Sequence, residues 1–273
     1  LSRLHTASMI VGGIVLVFAM KAQPSVTQLL TLIDSLMHGW RLELFLSEPL
    51  IFILWIFIFV TSLYWGRGVF CGWICPYGAL TELVHKVAVR FGWKSKELPD
   101  RWHHAADKIR YVLLVGLIPA YLYSSVLGEQ LAEVEPFKST FFVPIWTREW
   151  FYIAWWTLLL ALSFVTYRPF CRYVCPLGAA FAIFNSFRFA GPKRRQFCGT
   201  CKICARECEP RAIRLDGTID PRACLSCMEC EASYNNPEKC PPLIAIAQLL
   251  RKSERTAHDE ERLAKLESDR ERI

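Results

Sequence analysis

The stretch Phe70-Cys71-Gly72-Trp73-Ile74-Cys75-Pro76-Tyr77-Gly78-Ala79 returns one hundred residues later as Phe170-Cys171-Arg172-Tyr173-Val174-Cys175-Pro176-Leu177-Gly178-Ala179. The shared pattern is F-C-x-x-[IV]-C-P-x-G-A. Each copy directly follows a long apolar block, so the repeat reads as two helical hairpins, each ending in a cysteine pair. In a helix, positions four apart share a face, which would aim both sulfurs of a pair the same way. The proline after each pair suits a break or a new first turn.

The blocks around the repeat set the class. Residues 6–20, 49–65, 111–127 and 150–167 contain no Asp, Glu, Lys or Arg. At ~1.5 Å per residue the last three reach roughly 25 Å, enough for a ~30 Å hydrocarbon core once their terminal Trp and Tyr are counted. The first block lies between a span and a buried or interfacial helix, and a snorkelling Lys21 would lengthen it. A hydrophobic fraction of 53% and an aromatic fraction of 14% exclude disorder, and 273 residues exclude a small disulfide scaffold.

Basic residues orient the bundle. Residues 66–110 carry eight Lys or Arg and 168–195 carry six, whereas 21–48 and 128–149 carry two each. The positive-inside rule therefore places 66–110 and everything after Tyr167 in the cytoplasm, and 128–149, with Glu129, Glu133, Glu135 and Glu149, outside. Each basic residue reads individually as a solvated or headgroup contact. Topology accounts for the charge excess, so nucleic acid is not an expected partner.

The four cysteines of the repeat, Cys71, Cys75, Cys171 and Cys175, would lie on the reducing side, where a stable disulfide is disfavoured. Inert buried cysteines, redox-active thiols and a four-thiolate metal site assembled across the repeat all fit them.

Eight further cysteines carry the most specific signal. Cys198-x2-Cys201-x2-Cys204-x3-Cys208 is followed by Cys224-x2-Cys227-x2-Cys230 and then Cys240-Pro241. Three cysteines at x2 spacing take three corners of a cubane and a remote cysteine the fourth. This spacing predicts two [4Fe-4S] clusters, one on Cys198, Cys201, Cys204 and Cys240, the other on Cys224, Cys227, Cys230 and Cys208. Zinc knots would pair C-x2-C with C-x2-C and gain nothing from triplets. Two departures stand out: Glu209 delays the proline after Cys208 to Pro210, and residues 231–239 separate Cys230 from Cys240, a segment expected to bulge as a loop. Residues 211–220 read as a short helix, a strand and an Asp-Gly turn. An apolar helix is expected at 243–250, before a tail in which 14 of 23 residues are charged.

The resulting fold class is an all-α membrane bundle of about four transmembrane helices in two repeated hairpins, residues 1–191. An α+β bacterial-type 2[4Fe-4S] ferredoxin domain follows at 192–250, then a charged tail at 251–273. The six histidines lie outside the apolar blocks, which disfavours transmembrane haem. No intramembrane carboxylate or lysine points to a proton pump or channel. No glycine-rich nucleotide fingerprint or P-loop is present.

On these motifs the chain resembles the NosR/NapH group of membrane electron-transfer proteins of denitrifying bacteria. The segment Glu133-Val134-Glu135-Pro136-Phe137-Lys138, the two C-x3-C-P motifs and the ending 234–242 are more similar to the NosR branch, and the resemblance covers nearly the whole chain. It implies an inner-membrane protein passing electrons between a cytoplasmic donor or the quinol pool and periplasmic nitrous oxide reductase, or supporting that enzyme's maturation. It also implies an FMN-bearing periplasmic domain upstream of Leu1, so flavin or quinone would enter through that domain or a partner. A NapH-like quinol dehydrogenase subunit for periplasmic nitrate reductase and an iron-sulfur redox sensor are the alternatives.

Overall fold

The structure is a computed structural model that describes residues 2–19, 24–38, 49–93, 99–143, 145–192, 201–214, 216–252 and 256–271. Thirteen α-helices occur among them. Helix α1 (Ser2–Ile14) runs into a π-helical turn, Val15–Ala19, and is followed by α2 (Val26–His38) and α3 (Pro49–Tyr64). A second π turn, Val69–Ile74, carries the first cysteine motif into α4 (Pro76–Arg90), and α5 (Asp100–Tyr123) and α6 (Ser125–Ala132) follow. The second half repeats the plan with α7 (Trp150–Val165), the short α8 (Pro169–Tyr173) and α9 (Pro176–Phe184). Beyond it lie α10 (Ile203–Glu207), α11 (Glu229–Tyr234), α12 (Pro241–Arg251) and α13 (Ala257–Glu271).

Helix α4 packs between α1 and α7, while α5 packs on α6, α8 and α9. One core runs through the repeat, joining Leu54 and Ile58 of α3, Leu114 and Leu117 of α5, Leu159 of α7 and Phe181 of α9. The outer faces of the long helices are apolar too. Ile53, Phe57, Val60, Val112, Val115 and Leu158 are exposed.

Among the described residues no helix is both long and apolar enough to cross a membrane. Helices α3 and α7 have 16 residues each, ~24 Å of helix. Helix α5 is longer, but it begins at Asp100, far ahead of its apolar block, and ends at Ser124, whose extended backbone (φ −153°) starts α6. The segment before α3 contains α2, which charge counting passes over because Asp34 interrupts the apolar run. Spacing marks it: Val26, Leu29, Leu30 and Ile33 recur at helical intervals. Glu135 from the facing loop accepts from the Ser25 hydroxyl at 2.8 Å and the Val26 amide at 3.0 Å, satisfying the start of α2.

Two expectations in the cysteine-rich region change. The α+β reading reduces to one isolated antiparallel bridge, Ile213 with Ile219, closed around Gly217 at φ +85°, and the described residues contain no extended strand. Four hydrogen-bonding backbone groups in a tight turn are too few to propagate a ladder. Residues 231–234, expected to bulge, instead continue α11, and only then does the chain turn toward Cys240. The apolar helix before the tail is α12, and the described part of the tail forms α13.

Candidate functional site

The two motifs adopt the same hydrogen-bonded turn. The Cys75 amide donates to the Phe70 carbonyl at 2.8 Å, and the Cys175 amide to that of Phe170 at 2.9 Å. Cys75 (φ −59°, ψ 117°) and Cys175 (φ −57°, ψ 110°) stand just before the proline that opens α4 or α9. Proline permits this start because its missing N–H is one that a helix leaves unpaired. The Gly178 amide donates to Cys175 Sγ at 3.2 Å. The pair is therefore presented on a turn rather than along a helix face.

The two turns meet in the core. Cys75 and Cys175 are buried within it, and Cys71 and Cys171 pack against it. Burial pushes the thiols of Cys71, Cys75 and Cys175 up and that of Cys171 to about 11, against the pull of nearby guanidinium groups on Cys71 and Cys171. A thiolate here needs a compensating positive charge. The Tyr77 hydroxyl is fully buried without a hydrogen-bond partner, its ring held edge-on against Phe137 and Phe170.

The basic residues around the turns correct the reading of solvated charges. Arg67, Arg110, Arg168 and Arg172 are all buried. Arg168, in left-handed backbone at φ 45°, reaches across the repeat: Nη1 donates to the Cys71 carbonyl at 2.6 Å, and Nη2 to the Gly72 carbonyl at 3.3 Å and to Glu82. Arg67 reaches the other way, donating to the Gly178 carbonyl at 3.3 Å. Burial alone would push the Glu82 carboxyl up, but Arg168, Lys86 and the Tyr167 hydroxyl hold it down at about 2. His5 Nε2 meets the Gly72 carbonyl at 2.9 Å, and its ring lies edge-on to Trp73. Low hydropathy hides such residues from sequence reasoning. The unusual pairing of an Arg three or four positions ahead of both motif cysteines is the signal that would have found them.

Seven of the eight downstream cysteines fall around two cavities. Cys208, Cys224, Cys227 and Cys230 line the smaller one together. Cys201, Cys204, Cys240 and again Cys230 line the larger, of about 770 Å³, with Trp65, Val69 and Trp73 on the side of the bundle. Cys198 lies outside the described residues. Among the described residues no three His, Cys, Asp or Glu side chains close on a single metal ion. A cubane needs no such convergence, since its four thiolates bind four different irons. The soft sulfur donors suit such a cluster, and the larger cavity has room for one. Glu209, the departure after Cys208, is exposed, so it delays the proline without burying a charge.

A helical repeat followed by seven described cysteines grouped around adjoining cavities defines an iron-sulfur protein. The 4Fe-4S binding domain family matches residues 48–94 and 149–199, the two copies of the repeat, and the NosR family matches 196–251. The chain is 45% identical to the regulatory protein NosR of Stutzerimonas stutzeri, over 82% of this chain and 31% of that protein. It is 38% identical to the protein NirI of Paracoccus denitrificans, over 84% of this chain and 34% of that one. It is 27% identical to the ferredoxin-type protein NapH of Escherichia coli K12, over 63% of this chain and 62% of NapH. The chain belongs to the NosR/NapH family and spans about a third of the length of the NosR and NirI relatives. No solved structure matches it.

Proposed function

We propose that the chain is the membrane electron-transfer part of a NosR-like protein, carrying electrons between a cytoplasmic donor or the quinol pool and a periplasmic reductase, nitrous oxide reductase being the partner class favoured. The observation that carries this reading is the gathering of Cys208, Cys224, Cys227 and Cys230 at one cavity and Cys201, Cys204 and Cys240 at its neighbour, beside the paired C-x3-C-P turns.

Cys198, Cys201, Cys204 and Cys240 would hold one [4Fe-4S] cluster and Cys208, Cys224, Cys227 and Cys230 the other. Such clusters supply one-electron chemistry at potentials set by hydrogen bonds and exposure. Cys71, Cys75, Cys171 and Cys175 form a further redox centre under the bundle's basic face, each family-matched segment giving one pair. The buried guanidinium groups offset thiolate charge, and the apolar outer faces of α3, α5 and α7 contact lipid, with the cysteine-rich region in the cytoplasm.

Anaerobic purification of the full-length protein with iron, sulfide, zinc and flavin analysis tests this. About eight iron and eight sulfide belong to the ferredoxin region. Iron beyond that, lost when Cys71, Cys75, Cys171 and Cys175 are all changed to Ala, marks a third metal centre. Stoichiometric zinc without labile sulfide overturns the iron-sulfur reading.

A further inference from the structure

The two cavities are not equivalent in how their walls meet the repeat. The segment 221–226, which carries Cys224 and leads to Cys227, lies directly on the motif turns. Arg67 Nη2 donates to the Ala223 carbonyl at 3.2 Å while its Nη1 holds Gly178 of the second motif. Trp73, midway between Cys71 and Cys75, donates from its indole N–H to the Ser226 carbonyl at 2.9 Å.

Glycine is required for this approach. A Cβ on Gly72 would sit 2.2 Å from the Leu225 carbonyl oxygen, and one on Gly68 would sit 2.4 Å from Ser226 Oγ. The loop itself is tightly folded, with Ser226 at φ 48° and Met228 at φ 62°, and Leu225 and Cys224 are buried. Backbone thus meets backbone between two cysteines of the second cluster and the first C-x3-C-P turn. The larger cavity meets the bundle at Trp65, Val69 and Trp73 and shares Ser226 with the smaller one, whereas Cys224 and Leu225 line the smaller one alone.

Resting on the electron-transfer reading above, we propose that the cluster held by Cys208, Cys224, Cys227 and Cys230 is the one that exchanges electrons with the four-cysteine centre. The Leu225-Ser226 loop is the contact between them, and Trp73 and Arg67 are positioning residues. When bound, the cluster would supply one-electron chemistry, and Arg67 and Trp73 would hold the Leu225-Ser226 loop that carries two of its ligands against the first turn.

The test uses electron paramagnetic resonance redox titration of the full chain, purified anaerobically in detergent, with Cys201→Ser and Cys227→Ser variants assigning the signals to the two clusters. Gly72→Ala, which must displace the Leu225 carbonyl, should shift the midpoint or signal shape of the second cluster and leave the first unchanged. The variant with Ala at Cys71, Cys75, Cys171 and Cys175 should do the same. Gly116→Ala is the control, because nothing lies within 4 Å of the added methyl. If Gly72→Ala does not accumulate, Trp73→Phe keeps an aromatic side chain but removes the indole N–H that holds the Ser226 carbonyl, with the same selective shift expected. A shift confined to the first cluster, equal in both, or absent in folded, cluster-loaded protein overturns the inference while the iron-sulfur reading stands. Absence of clusters from the wild type overturns the parent reading itself.

Discussion

Arg168 Nη1 donates to the carbonyl of Cys71 at 2.6 Å, so the arginine ahead of the second motif caps the backbone of the first. Arg67 makes the reciprocal crossing to Gly178. The two halves are thereby locked by buried charge as well as by apolar packing. Arg168 also pairs with Glu82, which is 3% exposed. Removing one partner of a buried pair leaves the other charge unsolvated, whereas replacing both is far milder. Arg168→Met should therefore destabilise the folded protein by about 3–5 kcal/mol. Arg168→Met with Glu82→Gln should recover much of that loss in thermal unfolding monitored in detergent.

The four repeat cysteines should behave as one unit. Members of a cooperating site are not additive, so Cys71→Ala or Cys171→Ala alone should cost nearly as much electron transfer as all four changes together. Lost packing at any one of them is on the order of 1–2 kcal/mol, too little to unfold the bundle. Inert structural cysteines predict nearly full activity in each single variant. Normal activity of the quadruple variant at wild-type protein level sinks the idea of a shared centre.

Much of this arrangement is legible in the sequence, and the illegible part has a physical cause. The repeat and its helix-opening prolines follow from local spacing, which backbone geometry preserves. The burial of Arg67 and Arg168 does not. A charge count assigns an arginine to solvent because burial is costly, and here the cost is offset by carbonyls and a carboxylate some 100 residues away in the chain. The docking of Leu225-Ser226 on Gly72 is likewise a long-range approach that no periodicity encodes. The region around Ile213 reads as a strand from propensity alone, but a single bridge partner leaves it irregular.

His103 gives an acid response outside the bundle. It is buried against Tyr173, 3.1 Å from its hydroxyl, and burial with the nearby Arg172 and Arg211 lowers it from 6.5 to about 4. The unfolded chain binds a proton near pH 6.5 that the folded protein refuses until about pH 4. Its contribution is therefore fully present above pH 6.5 and lost as pH falls from 6.5 toward 4. His103→Phe should flatten that part of the stability profile, measured as melting temperature against pH. Equal slopes for wild type and variant across this window would contradict the assignment.

Orientation is the remaining expectation that a direct measurement can decide. Lys and Arg cluster in 66–110 and 168–195, and burial of several of these arginines raises the question of whether the charge count still reports topology. It does so only if enough basic groups remain at the surface to be held on the cytoplasmic side. Arg90 and Arg101 are exposed, and Lys86 is 31% exposed at its side chain. The facing loop 128–149 carries only Lys138 and Arg148 as basic residues, and Arg148 pairs with Glu133 at 3.3 Å. The asymmetry thus survives burial. A reporter fused after Ile273 or inserted within residues 94–104 should read as cytoplasmic, and one near Glu133 as periplasmic. A periplasmic C-terminus would place every cysteine in an oxidising compartment and defeat the thiolate-ligand argument for all twelve.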